Sequence, residues 1–502
     1  CTVVLLPRRR AGHRALPRVI FHSPSPPPEP LSQVQPPTGP SAMAGDRQPQ
    51  PDRPTPTRPH RSVHELSQRY GPLMSLRLGS FPAVVGSSVE MARFFLRTHD
   101  LAFLDRPRMA AGKYIGYDYS NLLWSPYGAY WLQARKLCKT AVLSAARLRQ
   151  HEHARQAEVW AMLRRLHAGP AAGRVLLLRD HLFMLNIDVS CLMLLGKKYV
   201  GGGGDSRSPT TAEELKWMIE EFFYLSGADN VGDMIPWLNW LDPQGYVGRL
   251  KRLRKMFDRF PDHVLNDHEE RRRREGEQFV AMDWVDLLLT LADDPNLEVP
   301  IDRDGVRALM VNLLIGLPDT ASATVEWAMS ELLRSPDALT KATQELDRVV
   351  GDRHVTEGNI SDLPYLEAVV KETMRLHPAT PMLAPRLSRE DVSAGGYDIP
   401  ALDAGEFRPE RFVGSSVDVQ GRDMELLPFG SGRRMCPGVS LGLKMVQVIL
   451  ANLLHAYAWR LPDGVTKETL SMEDENSLSV VRKVPLEAVA EPRLPEHLYA
   501  GP

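Results

Sequence analysis

Two runs dominate the pattern of hydrophobic and polar positions. Residues 304–334 carry the longest apolar signal at helical spacing, and residues 439–450 (VSLGLKMVQVIL) form a second. Both predict buried helices. A shorter alternation, Leu73–Leu78, reads as a strand. The turn signal Gly79-Ser80-Phe81-Pro82 follows it, and 83–86 reads as its hairpin partner. Ser62-Val63-His64-Glu65 is a capping box that opens a helix, which Gly71-Pro72 ends. Ser87-Ser88-Val89-Glu90 starts the next helix. Residues 150–200 are helical, and 212–275 are amphipathic, with Trp217, Phe222, Phe223, Trp237 and Trp240. Pro261 interrupts that stretch and predicts a kink.

Composition narrows the classes. The chain has 502 residues, 43% of them hydrophobic, which allows a substantial core. Lys and Arg number 61 against 62 Asp and Glu, so the basic excess of a nucleic-acid binder is missing. The basic run at 271–274 follows two glutamates and reads as a solvated helix face. Cys1, Cys138, Cys191 and Cys436 show no paired spacing, which predicts no disulfide framework and fits a reducing, cytosol-facing location. The four glycines at 201–204 read as a flexible loop; no strand feeds them and no Lys-Ser/Thr follows, so a nucleotide site is a weak reading. Residues 1–60 are rich in Pro, Arg and Ser and lack an apolar run near the ~20 residues of a spanning helix. They read as disordered. The chain opens on Cys1 rather than Met, which reads as a fragment or a conceptual translation.

The chemistry concentrates at Pro428-Phe429-Gly430-Ser431-Gly432-Arg433-Arg434-Met435-Cys436-Pro437-Gly438. Cys436 lies just before the predicted 439–450 helix, where exposed N–H groups and the helix dipole favour a thiolate. Gly432 and Gly438 let the backbone pass close to something flat and bulky. Arg434 offers a fork of donors for a carboxylate. Together these suit a sulfur-ligated haem iron with a propionate on the arginine. The alternatives are a buried free cysteine in a Gly-rich turn, or zinc, and zinc lacks a second Cys or His at ligand spacing.

The pattern Phe-x-x-Gly-x-Arg-x-Cys-x-Gly at Phe429, Gly432, Arg434, Cys436 and Gly438 resembles the cytochrome P-450 superfamily, in particular its plant microsomal branch. Overall likeness within that branch is to flavonoid-hydroxylase-like and homoterpene-synthase-like enzymes. The resemblance implies one mainly α domain with small β-sheets over residues 61–502. Haem b (iron protoporphyrin IX) would lie between the long central helix and the Cys436 loop, with Cys436 as the metal ligand.

Further motifs fall in the family's order. Trp131 and Arg135 stand four apart on one helix face, and the family's Trp-x-x-x-Arg pair contacts a propionate; alone, such a pair is ordinary surface packing. The oxygen-binding motif is met at Gly316, Asp319 and Thr320, while Leu317 replaces a glycine and Ala321 a hydroxyl residue. Asp319 and Thr320 are the expected catalytic acid and alcohol. Pro318 lacks an N–H and is expected to open the helix there. Leu317 and Ala321 are expected to shape the substrate pocket, with Met382 and Leu383 bordering it. Arg386 is expected on a propionate. Glu372 and Arg375, with Arg411 of Phe407-Arg408-Pro409-Glu410-Arg411-Phe412, are expected to form a buried charge network behind the cysteine loop.

The same resemblance implies insertion of one atom of O2 into a small lipophilic substrate, a flavonoid, phenolic or terpenoid. Electrons would come from NADPH–cytochrome P-450 reductase at the cytosolic face of the endoplasmic reticulum membrane. After Ala401, near 401–403, a length on the order of 20 residues is missing against the family, a loss comparable with the ~5–15 kcal/mol stability of a whole fold. Two other readings stand beside this one: a haem-thiolate enzyme that rearranges hydroperoxides, and a non-catalytic remnant.

Overall fold

The computed structural model describes residues 2–5, 59–168, 175–200, 207–389, 406–475 and 477–499. The expected break near 401–403 and the glycines at 201–204 lie outside these residues, as does nearly all of 1–58.

Helices make most of the fold, with strands β1 (Thr2–Leu5), β2 (Leu73–Leu78), β3 (Phe81–Gly86), β4 (Val175–Leu177), β5 (Arg386–Leu387), β6 (Tyr457–Arg460) and β7 (Glu487–Pro492). One sheet has the order β2-β3-β1-β5 and the other β4-β7-β6. β2 and β3 pair antiparallel from Leu73↔Gly86 to Leu78↔Phe81. The turn is therefore the two residues Gly79-Ser80, shorter than the sequence suggested. Gly79 takes φ +59°, a left-handed conformation that glycine adopts without a Cβ penalty.

β1 corrects the expectation of disorder over residues 1–60. Thr2–Leu5 is a β-branched, apolar tetrapeptide, and it sits inside the first sheet between β3 and β5. The helix after it starts at Pro59 rather than Ser62, with proline in the first turn where its missing N–H costs nothing. Ser88 caps the next helix as expected, accepting from the Met91 N–H at 3.2 Å.

The run at 304–334 folds as two helices, Arg303–Gly316 and Pro318–Arg334, joined at Leu317. Pro318 has no N–H for the ladder, so the first helix stops there. Pro261, in contrast, lies inside one continuous helix, Tyr246–Glu275. The helix Pro318–Arg334 runs through the core, packed on Leu178–Leu195 and on Val439–Ala456. A second core cluster joins Ala212–Gly227, Tyr246–Glu275 and Arg303–Gly316. Among the described residues, two stretches are apolar and long enough to cross a membrane, 303–334 and Val439–Ala456, but both are mostly buried in this core.

Candidate active site

The loop before Val439–Ala456 turns tightly. Gly430 and Gly432 take φ +68° and +72°, and the Cys436 N–H donates to the Phe429 carbonyl at 3.0 Å. Gly438 is the N-cap of the helix that follows. Protein surrounds the Cys436 side chain, yet its surface is open to water-sized space. Burial pushes the thiol upward, against the Gly438 N–H and the Arg135 charge, which pull it down. In the free protein, burial thus opposes the Gly438 N–H and the Arg135 charge at this sulfur.

A Cβ on Gly432 would stand 2.2 Å from the Leu96 carbonyl oxygen and 2.8 Å from Asp100 Oδ1. Protein backbone at Leu96 is itself a close neighbour that demands glycine here. At Gly438 a Cβ would meet only Cys436 Sγ, at 3.8 Å, so that position does border the open sulfur.

Cationic side chains converge beside this loop. The helix Ala129–Leu137 presents Trp131 and Arg135. Arg135 donates to the Met435 carbonyl at 2.6 Å, next to Cys436. Trp131 is buried, and its indole N–H donates to the Leu122 carbonyl at 3.2 Å, so that donor is already engaged. The Arg434 guanidinium lies 4.5 Å over the Trp131 ring and donates to the carbonyls of Leu104 and Ser125 at 2.9 and 2.7 Å. Burial and the neighbouring Arg386 charge lower Arg434 to about 10.

Arg106, which sequence reasoning missed, belongs to the same group. It is buried, and its donors reach the carbonyls of Leu123, Ala384 and Pro385 at 3.1, 2.5 and 2.7 Å. Burial, then Arg434, then Arg386 push its pKa well down. A charged residue within the poorly periodic stretch 105–126 was the available signal. Among the described residues, Arg106, Arg135 and Arg434 form no ion pair with a carboxylate. Arg386 does: it meets Asp100 at 2.9 Å, with both side chains buried. Arg386, expected on a bound carboxylate, thus has a protein carboxylate as a partner.

Across the core, the joint at Leu317 sorts the distal residues by face. Gly316 is exposed although it lies in a core helix, and a Cβ on it would meet nothing within 4 Å. Thr320, one turn on, shares that open face, and its hydroxyl donates to the Gly316 carbonyl at 2.9 Å. Leu317 and Ala321 are rotated about 100° away and lie in the core cluster with Leu182, Leu185 and Val189. The expectation that these two line a pocket is corrected. Asp319 is buried with Oδ2 unpartnered, and burial raises its pKa to about 6, with Glu220 adding to the shift and the nearby Ser479 and Arg179 opposing it. Met382 and Leu383 are half-buried; Met382 leans on the first sheet's core and Leu383 on the cluster around Phe95 and Phe103.

The charge network assembles as expected. Glu372 is fully buried. Its oxygens accept from Arg375 at 2.7 and 2.9 Å, from Arg411 at 3.0 Å and from the Arg408 N–H at 2.8 Å. Arg375 and Arg411 both reach the Glu406 carbonyl.

An iron protoporphyrin fits these residues. Cys436 would hold its iron through sulfur, and Arg106, Arg135 and Arg434 would hold its propionates. Comparison with known proteins agrees. The cytochrome P450 family model matches residues 48–401 and 402–487. The trimethyltridecatetraene synthase of Zea mays is 47% identical over 481 residues, covering 88% of this chain and 86% of that protein. The chain belongs to the cytochrome P450 family. A dimethylnonatriene synthase of Zea mays is 46% identical with 88% of each chain covered, and a flavonoid 3'-monooxygenase of Petunia hybrida is 39% identical over 88% and 90%. A zebrafish cytochrome P450 solved with abiraterone shares the fold, with a TM-score of 0.70 at 21% identity, covering 87% of this chain and 99% of that one. This cytochrome P450 is thus a haem-dependent oxidoreductase of the monooxygenase type.

Proposed function

We propose that this cytochrome P450 inserts one atom of dioxygen into a lipophilic plant secondary metabolite of the terpenoid or flavonoid class. Its electrons come from NADPH through cytochrome P-450 reductase, and it works at the cytosolic face of the endoplasmic reticulum membrane. The relatives named above support the substrate classes. One observation carries the reading: an open cysteine sulfur flanked by Arg106, Arg135 and Arg434, which among the described residues lack an anionic partner.

When bound, the haem supplies a thiolate-ligated iron that activates dioxygen. The chain's residues do the rest. Cys436 gives the sulfur, and Arg135 lies near enough to favour its ionised form. Arg106, Arg135 and Arg434 orient the group by its carboxylates. Thr320 carries a hydroxyl that can turn from the Gly316 carbonyl toward the open face. Asp319, raised to about 6, exchanges a proton near neutral pH. This acid and alcohol pair favours oxygen insertion over hydroperoxide rearrangement, which needs no proton delivery.

The test is a reduced carbon monoxide difference spectrum on the expressed protein and on Cys436→Ser. A thiolate-type Soret band in the first and none in the second supports the reading. A protein that binds no haem, or an unchanged band in Cys436→Ser, overturns it. Turnover with reductase and NADPH on terpenoids and on flavonoids then separates the two substrate classes.

A further inference from the structure

We propose that β1 is a positioning strand for the cysteine loop, so that residues 2–5 help to fix Cys436 from the opposite end of the chain. β5 is only two residues long, too short to hold itself in a sheet. Its sheet partner is β1, in parallel register at Val4↔Arg386 and Leu5↔Leu387, and the Ser388 N–H donates to the Leu5 carbonyl at 3.0 Å. β1 is in turn fixed to β3 from Thr2↔Gly86 to Leu5↔Ala83. Among the described residues β3 and β5 do not pair, so β1 is the strand that joins β5 to the sheet, while the Leu387 N–H donates to the Asp105 carbonyl at 2.8 Å on the other side.

The side chains alternate as a strand requires. Val3 and Leu5 face Val63, Met74 and Val85. Val4, 0% exposed, packs with Phe95, Leu96 and Phe103 on the other side. That second group is the turn against which the cysteine loop rests. The Leu96 carbonyl and Asp100 lie against Gly432. Asp100 Oδ2 accepts the Arg433 N–H at 2.9 Å, and Oδ1 accepts from Arg386 at 2.9 Å. Val4 therefore supports both halves of the contact: its backbone lies beside Arg386, and its side chain lies under the Asp100 turn.

The proposal bears on the loop in which the haem reading places the iron ligand, so the test reads the loop directly by amide hydrogen exchange. Val4→Pro removes an N–H from the middle of a sheet, whereas Val4→Ile keeps strand and packing. In Val4→Pro the N–H groups of Ser388 and Arg433 exchange at least about tenfold faster, those of the helix Val439–Ala456 stay protected, and Val4→Ile matches the native protein. Unchanged Ser388 and Arg433 rates overturn the proposal. Faster Ser388 with an unchanged Arg433 also overturns it, because β1 would then serve the sheet alone. If Val4→Pro loosens the whole protein, Val4→Thr decides: its buried hydroxyl speeds Arg433 exchange locally, and no change at Arg433 overturns the proposal. On haem-loaded protein, the carbon monoxide band of Val4→Pro loses thiolate character while that of Val4→Ile keeps it. Exchange that follows the proposal in protein that never takes up haem would sink the haem reading and leave the strand's role standing.

Discussion

The Thr320 hydroxyl donates to the Gly316 carbonyl at 2.9 Å, across the joint where two core helices meet. In the proposed mechanism this hydroxyl, held by backbone one turn from the open space beside Gly316, serves the oxygen chemistry. Thr320→Ala is expected to lower product-forming rate by on the order of 10²-fold, the scale of a lost proton-transfer group, while Thr320→Ser keeps most of it. The ratio of product to NADPH consumed checks this.

Asp319 gives a pH-dependent stability. Its folded pKa, raised to about 6 from the ordinary 3.8, means that the folded state prefers the neutral acid. That preference contributes fully below about pH 4 and is lost as pH rises through about 6. Asp319→Asn should therefore be more stable than the native protein above pH 7, by about 3 kcal/mol for a two-unit shift at 1.36 kcal/mol each. The gain vanishes below pH 4, and turnover falls throughout. Denaturant unfolding at pH 4 and pH 7.5 measures it.

Leu317 lies in the core rather than on the open face, so Leu317→Ala is expected to cost about 2–5 kcal/mol as a buried cavity. Leu317→Gly should leave carbon monoxide rebinding rates unchanged, and flash photolysis reads them.

Glu372 holds three partners in a buried site. Glu372→Ala removes the buried carboxylate that Arg375 and Arg411 share and is expected to cost on the order of 3–5 kcal/mol, with loss of haem uptake. Denaturant midpoints and pigment content both follow it.

Gly432 and Gly351 separate backbone strain from collision. Both take a positive φ, but a Cβ on Gly351 meets nothing within 4 Å, whereas one on Gly432 reaches the Leu96 oxygen at 2.2 Å. Gly351, at φ 61° and ψ −143°, lies where only glycine is at ease, so Gly351→Ala should cost about 1–3 kcal/mol, the backbone term alone. Gly432→Ala should cost clearly more and weaken haem binding, as thermal unfolding and haem titration will register.

Motifs made of neighbours in sequence were legible before the fold was known. The Cys436 loop, the Glu372–Arg375 pair and the break at Pro318 depend on local spacing, and each stands where the pattern put it. Contacts made only by tertiary proximity were hidden. Arg106 joins the arginine group because the chain brings the stretch before Trp124 against Ala384 and Pro385, 278 and 279 positions away. Leu317 was misread because a helical rotation of about 100° separates it from its neighbour Gly316. Thr2–Leu5 was misread because a four-residue strand in a Pro- and Arg-rich context carries no periodic signal until a sheet receives it.

The arginines beside Cys436 set a condition on how the polypeptide survives. Positive groups confined together repel, and burial weakens the water that would screen them. A dianionic pigment relieves that strain, so by mass action the native state deepens as pigment becomes available. Cellular yield of this chain should then track porphyrin supply more steeply than transcript level, and feeding a tetrapyrrole precursor to the producing host should lengthen its half-life.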